Sequence, residues 1–356
     1  MSRSLNNRNS VISRSPASLD HGGRATLRKT LAVCGMLSVM LIFIVVVAAM
    51  VGSERLPLVD ALGALFTGGA KSGALTATQR AILFDIRLPR ILLAVTVGAS
   101  LSAAGASYQA LLRNALAEPY LLGISNGAAV GTMIALVFFN ANEWTRPLMA
   151  FAGALGATFL VYRLARGRAG TTPERLILAG VIVTTFQSSV IVFITTLMDA
   201  TRIRSFTFWL LGDLSQAAAG SLWIATVATI IGVAALTLKA RPLNLLMLGE
   251  RDAFDLGVEV ERVRLQVLLA ASLVVGVSVA LSGSVGYVGL VVPHLVRMST
   301  GGDNRLTIPA AALAGAAFVV IADTVARTVI APRELPVGAI TALIGAPLFI
   351  YLLKRR

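Results

Sequence analysis

Cysteine is nearly missing from this chain of 356 residues: Cys34 stands alone, so no internal disulfide can form. Histidine occurs only at His21 and His294, too few with one cysteine to complete a zinc site of four protein ligands. Charged residues make up 13%, against about 25% in a soluble domain. No Gly-x4-Gly-Lys-Ser/Thr phosphate loop occurs, so the chain lacks that route to hydrolysing ATP by itself. What is present is apolar, with 56% hydrophobic residues and a mean hydropathy of +0.81. This is an integral membrane protein with no space for a soluble catalytic domain.

The net charge of +14 invites a nucleic-acid partner, but its placement speaks against one. Residues 1–29 hold six basic residues (Arg3, Arg8, Arg14, Arg24, Arg28, Lys29) against Asp20, in a Ser- and Asn-rich setting. That composition predicts a disordered basic tail. The apolar run at 30–52 is long enough to span and has no small-residue cleavage site before Ser53, so it is read as a retained first helix.

With about 20 residues per span, apolar runs fall at 30–52, 91–112, 122–139, 147–162, 176–198, 221–238, 265–283, 286–298, 307–326 and 338–353. Ten spans put both termini on one side. With the N-terminus inside, inner segments hold 21 Lys and Arg and outer ones 10, as the positive-inside rule requires. The stretch 265–298 is long for one span and short for two. Val97-Gly-Ala-Ser-Leu-Ser-Ala-Ala-Gly105 and Val275-Gly-Val-Ser-Val-Ala-Leu-Ser-Gly283 share Val, Gly, Ser and Gly in register while running in opposite directions. That is the pattern of an inverted repeat.

Ionisable groups are scarce where they would cost most. A charge at the bilayer centre costs roughly 2.5–3.5 kcal/mol on insertion scales, and only His294 and Asp323 stand away from the ends of predicted spans. Asp323 precedes Arg327 by four residues, the favourable order for a helical ion pair. His294 reads as a packed, hydrogen-bonded residue. The pathway therefore lacks the midplane carboxylates of a proton- or sodium-driven carrier.

Polar residues concentrate instead in a Pro-broken hinge after the second span, with Gln109, Arg113, Asn114 and Glu118 between two apolar runs. Gly123, Gly127 and Gly131 follow at four-residue spacing, which lets helix backbones approach closely within one subunit or between two. The inner loop 239–264 reads as two short helices, Pro242–Leu248 and Glu250–Leu256, broken at Gly249 and ended by Gly257. Leu243, Leu246 and Met247 make a small apolar face, and Glu250 and Asp252 suit the first turn of the second helix. Arg251 lies between them. The second helix is acidic enough to be repelled by anionic lipid, which favours docking to a protein over lying on the membrane. Arg87 and Arg90 precede the second span and Arg327 ends the ninth; snorkelling is the simplest role for arginines so placed.

The segments Arg87–Arg90, Gly98–Gly127, Phe208–Leu214, Leu243–Val258, Gly286–Arg297 and Ala322–Leu353 resemble the motifs of FecCD-type permeases, from about residue 80 to the end. That family comprises membrane subunits of ABC importers for iron-siderophores, haem and cobalamin. Two positions depart from it: Asn114-Ala115 stands where Asn-Pro is usual, and Asp213 replaces a small or neutral residue. The resemblance implies an all-α membrane protein, the type II ABC importer permease, with about ten transmembrane helices and helices 2–5 and 7–10 as an inverted repeat. It implies a permease domain over 30–356 with coupling helices at about 241–258, a second copy of the chain, and two cytoplasmic ATPase subunits. ATP and Mg would sit on those subunits, and no cofactor on this chain. An extracytoplasmic binding protein would dock on Arg87 and Arg327. Leu243, Leu246, Met247, Gly249, Glu250, Arg251, Asp252 and Gly257 would seat in the ATPase. Asn114, Leu116, Thr171 and Thr172 would form the inner gate. The expectation is a multi-pass subunit of the bacterial inner membrane, both termini cytoplasmic, carrying an iron(III)-siderophore. Cobalamin or haem is the alternative cargo, and an ion-coupled carrier the alternative class.

Overall fold

The computed structural model describes residues 27–52, 57, 60, 63–64, 75–139, 144–167, 170–215 and 219–354. Most of the predicted basic tail lies outside them. The described chain is helical, with one isolated bridge between Gly167 and Gly170. In chain order the helices are α1 (Leu27–Met50), α2 (Ala77–Ala81), α3 (Leu88–Leu111), α4 (Ile124–Phe138), α5 (Thr145–Ala165), α6 (Pro173–Thr195) and α7 (Ala200–Leu210). They continue as α8 (Ala219–Leu238), α9 (Ala240–Leu248), α10 (Glu250–Asp255), α11 (Val260–Ser282), α12 (Val288–Thr300), α13 (Asn304–Thr328) and α14 (Val337–Lys354). A π-helical turn, Ile82–Arg87, joins α2 to α3, and a 3-10 turn, Pro119–Leu122, precedes α4.

Each of the ten predicted spans coincides with a helix. The stretch 265–298 resolves as a full helix, α11, a five-residue break and the 13-residue α12. Helix α7 was not foreseen as an element, because its 11 residues are polar and too short to span.

The centre of the bundle is α3, and its sequence explains why. Small and hydroxyl residues cover it on every side, so other helices can surround it, and nearly all of it is buried. A Cβ on Gly98 would lie 2.2 Å from the Gly315 carbonyl oxygen of α13, and one on Gly105 would lie 1.9 Å from that of Gly289 in α12. Only glycine permits these backbone contacts. The hydroxyls pair internally: Ser100 with Thr229 at 2.8 Å, Thr96 with Thr226 at 3.2 Å and Tyr108 with Ser272 at 3.0 Å. The apolar helix α1, by contrast, buries only Ala48 and Ala49, which suits a helix facing lipid.

The two halves repeat one plan. In α3–α6 and in α11–α14 the second helix is the short one, with 15 and 13 residues. Each short helix is entered through a left-handed residue, Gly123 at φ 74° and Tyr287 at φ 66°. Glycine adopts that conformation freely, whereas tyrosine carries a cost of order 1–3 kcal/mol that its surroundings must offset. Paired short helices in corresponding positions are the mark of a transport site in repeat-built carriers.

Candidate functional site: the hinge segments and the short helices at one end

The hinge after α3 folds back into the bundle instead of forming a free loop. Gln109 Nε2 donates to the Leu290 carbonyl of α12 at 3.1 Å. A Glu118 carboxylate oxygen accepts the Tyr287 amide at 2.9 Å, at the N-terminus of α12 where a negative charge is favoured. Tyr120 binds Val285 twice, its hydroxyl donating to the carbonyl at 3.0 Å and lying 2.9 Å from the amide nitrogen. The first hinge and the break before α12 therefore form one unit. It holds Glu118, a hinge residue whose partner Tyr287, 169 positions away, no local pattern shows.

Asn114 closes the hinge without the usual proline. Its side-chain oxygen accepts the Leu116 amide at 2.9 Å and its carbonyl accepts the Ala117 amide at 3.0 Å. This Asx turn restrains the backbone where Ala115 cannot. Arg113, at φ 49°, turns its side chain toward α10, and Leu116 is exposed. Thr171 is buried, and Thr172 caps α6 by accepting the Arg175 amide at 3.4 Å.

The short helices α9 and α10 lie at the same end as these hinges. Gly249, at φ 143°, separates them, and Gly257, at φ 82°, follows α10. Leu243 and Leu246 are buried against the bundle and anchor α9, so they are not part of a surface open to a partner. Met247 is 39% exposed, its sulfur near Asn304 and Arg297. The apolar side chains that face outward are Leu248, Phe254 and Leu256, each more than 60% exposed. Arg251 and Asp252 flank them and are exposed too. Sequence reasoning missed this set because helical spacing does not say which stripe of so short a helix faces the bundle. Asn244 fastens α9 to the start of α13, giving a hydrogen bond to Asp303 at 2.7 Å and accepting the Asn304 amide at 2.9 Å.

At the opposite end, Asp323 lies 3.1 Å from Arg327, the pair that their spacing predicted, and 2.9 Å from Arg90, which also pairs with Glu334 at 2.6 Å. Arg87 donates to the carbonyls of Ala49 at 2.9 Å and Met50 at 3.2 Å. Arg327 donates to that of Ala48 at 3.2 Å. Both arginines are buried and satisfy last-turn carbonyls of α1, which have no partner within that helix. Among the described residues, Arg80, Arg202, Arg204 and Arg333 are the exposed cations there.

Gly127 and Gly131 face α5 of the same chain: a Cβ on each would meet the carbonyl oxygens of Gly153 at 2.4 Å and Met149 at 2.0 Å. Gly123 serves the turn before α4. His294 is buried, edge-on to Phe349 at 6.2 Å.

The FecCD transport family model matches residues 40–355. The hemin transport system permease protein HmuU of Yersinia pestis is 40% identical over 309 residues, 82% of this chain and 92% of its own length. The cobalamin import system permease protein BtuC of Halobacterium salinarum is 44% identical over 283 residues, 78% of this chain and 75% of its own. A solved ABC transporter described as metal-chelate type, in an inward-facing conformation, superposes with a TM-score of 0.79 at 29% identity. The match covers 92% of this chain and 100% of that one.

Proposed function

The chain belongs to the FecCD transport family and is an ABC-importer permease, not itself an enzyme; from that premise we propose that it carries a bulky metal chelate, read first as an iron(III)-siderophore. The observation supporting a chelate over a bare ion is the donor set between the short helices. Glu118 supplies one carboxylate there, already accepting the Tyr287 amide, with Tyr120 and Tyr287 beside it. A bare hard cation needs about six oxygen ligands. A preformed complex brings its own and needs only a shaped neutral wall. Haem and cobalamin are the second reading, and the named relatives favour them. The ion-coupled carrier loses its basis with the family.

In this reading two ATPase subunits seat on Leu248, Phe254 and Leu256, with Met247, Glu250, Arg251 and Asp252 around them. A second copy covers apolar faces of α6 and α14, where Ile182, Phe186, Val192 and Leu343 are exposed. A binding protein docks at the α1 end. Acidic groups reaching Arg87 and Arg327 compete with the carbonyls of α1, so the exposed arginines there make first contact and set the on-rate. The chain sits in the bacterial inner membrane with both termini cytoplasmic. ATP-driven movement of α9 and α10 opens the gate at Asn114, Leu116, Thr171 and Thr172 while the opposite end closes, because packed helices switch between discrete arrangements.

The test is uptake by proteoliposomes holding the whole complex, with labelled ferrichrome-bound iron(III), haemin and cyanocobalamin supplied separately. Saturable, ATP-dependent uptake of one chelate is expected. ATP-dependent uptake of free ferrous or manganous ion with none of the chelates would overturn the proposal.

A further inference from the structure

The mechanism above needs a path from the short helices to the gate, and one buried side chain joins every part of it. Arg264, in the first turns of α11, is 3% exposed at its side chain. Its Nη2 donates to the Glu250 carboxylate at the start of α10 at 2.5 Å. Its Nη1 donates to the Thr171 carbonyl, to the Thr171 hydroxyl at 3.1 Å and to the Glu261 carboxylate at 3.2 Å. Glu261 completes the clasp on the second gate segment. It accepts the Thr171 hydroxyl at 2.9 Å, the Thr171 amide at 3.3 Å and the Tyr162 hydroxyl of α5 at 3.1 Å. Glu250 in turn lies 3.9 Å from Arg113, the left-handed residue of the first gate hinge.

We propose that Arg264 is a positioning residue for coupling: its guanidinium locks Glu250 of α10 to the Thr171 gate segment, so that displacement of α10 is felt at Thr171 directly, while Glu250 itself lies 3.9 Å from Arg113 of the first hinge. The inference rests on the permease reading. Arginine suits the task because its planar fork presents fixed donors in two directions, toward a carboxylate on the moving helix and a backbone carbonyl on the gate. A lysine ammonium keeps the charge but reaches only one of them at a time. Charge on both sides and the burial of the guanidinium strengthen the contacts, although Glu250 and Glu261 keep part of their surface open.

The experiment uses the complete complex, with its ATPase and binding protein, reconstituted and supplied with labelled ferrichrome-bound iron(III), haemin or cyanocobalamin. Chelate transported per ATP hydrolysed is measured for wild type, Arg264→Lys, Glu250→Gln and the double variant, beside melting temperature and co-purified ATPase. A stabilising role alone would shift melting and leave that ratio unchanged. The expected result is a roughly tenfold lower ratio for Arg264→Lys with the ATPase still bound, within the range of about 5–150-fold that site-to-site coupling spans. The double variant is expected to lose less than the product of the two single losses, since the Arg264–Glu250 contact is common to both. Should Arg264→Lys hamper assembly, Glu261→Gln, measured beside it and clear of the surface on which the ATPase seats, carries the same expectation. Wild-type ratios in the single variants overturn the latch and leave the permease reading standing. A wild-type complex that moves all three chelates without ATP overturns that reading and the latch with it.

Discussion

Replacing Asp323 by Asn removes a carboxylate that is 1% exposed and lies between two guanidiniums, at 2.9 Å from Arg90 and 3.1 Å from Arg327. The two arginines do not suffer equally. Arg90 keeps Glu334 at 2.6 Å, whereas Arg327 is left with the Ala48 carbonyl and the Thr324 hydroxyl. A buried charge stripped of its partner costs about 3–5 kcal/mol. At roughly 2 °C per kcal/mol for a large domain, the apparent melting temperature in detergent should fall by about 6–10 °C. Because Arg327 also holds the end of α1, the loss should be local at first. A cysteine placed at Ala49, with Cys34 replaced by Ala, should become reactive below the melting transition. The compensated variant Asp323→Asn with Arg327→Met removes both charges and should recover at least half of the loss, since neutral replacement of a whole pair is far cheaper than breaking it. Melting of Asp323→Asn within 1 °C of wild type, or a double variant worse than the single one, would refute the reasoning.

Other perturbations separate the parts of the molecule. Gly105→Val should abolish detergent-stable folded protein, judged by size-exclusion after mild heating, because even a Cβ meets the Gly289 carbonyl oxygen at 1.9 Å; Gly35→Ala, with open space around it, should change nothing. Phe254→Ala with Leu256→Ala should reduce co-purified ATPase at least tenfold at unchanged melting temperature, whereas Leu243→Ala should lower melting by removing a buried side chain worth about 2–5 kcal/mol; equal ATPase recovery in the first variant contradicts the assigned surface. Arg204→Glu with Arg333→Glu should slow binding-protein association at 50 mM salt and much less at 500 mM, without affecting melting. Arg87→Glu with Arg327→Glu should reduce both docking and melting, and a double variant that keeps full uptake at low salt removes these arginines from docking.

The spans were legible because helix and lipid impose the same length and composition, and even the awkward stretch 265–298 announced its break. Asp323 and Arg327 were legible as a pair from their spacing alone. Arg90 was not, since nothing in a local pattern places it beside Asp323, 233 positions away. The same reason hid Arg264: Glu261 is three residues away on its own helix, but Glu250 and Thr171 come from two other segments, and only the fold closes the set. Leu243 and Leu246 were legible as apolar but not as inward-facing. A nine-residue helix is too short for periodicity to tell its anchored stripe from its presented one. Arg87 and Arg327 looked like surface cations because they sit at helix boundaries, and α1, distant in sequence, covers them.

The central claim is that this permease works only with a motor that it does not itself contain. The most direct test is gentle purification of the chain from its native membrane, with mass spectrometry of what accompanies it. An ATPase should come with it in equal amount, in a complex holding two copies of this chain. A chain recovered alone, under stabilising conditions and with ferrichrome-bound iron(III), haemin and cyanocobalamin present, would contradict it.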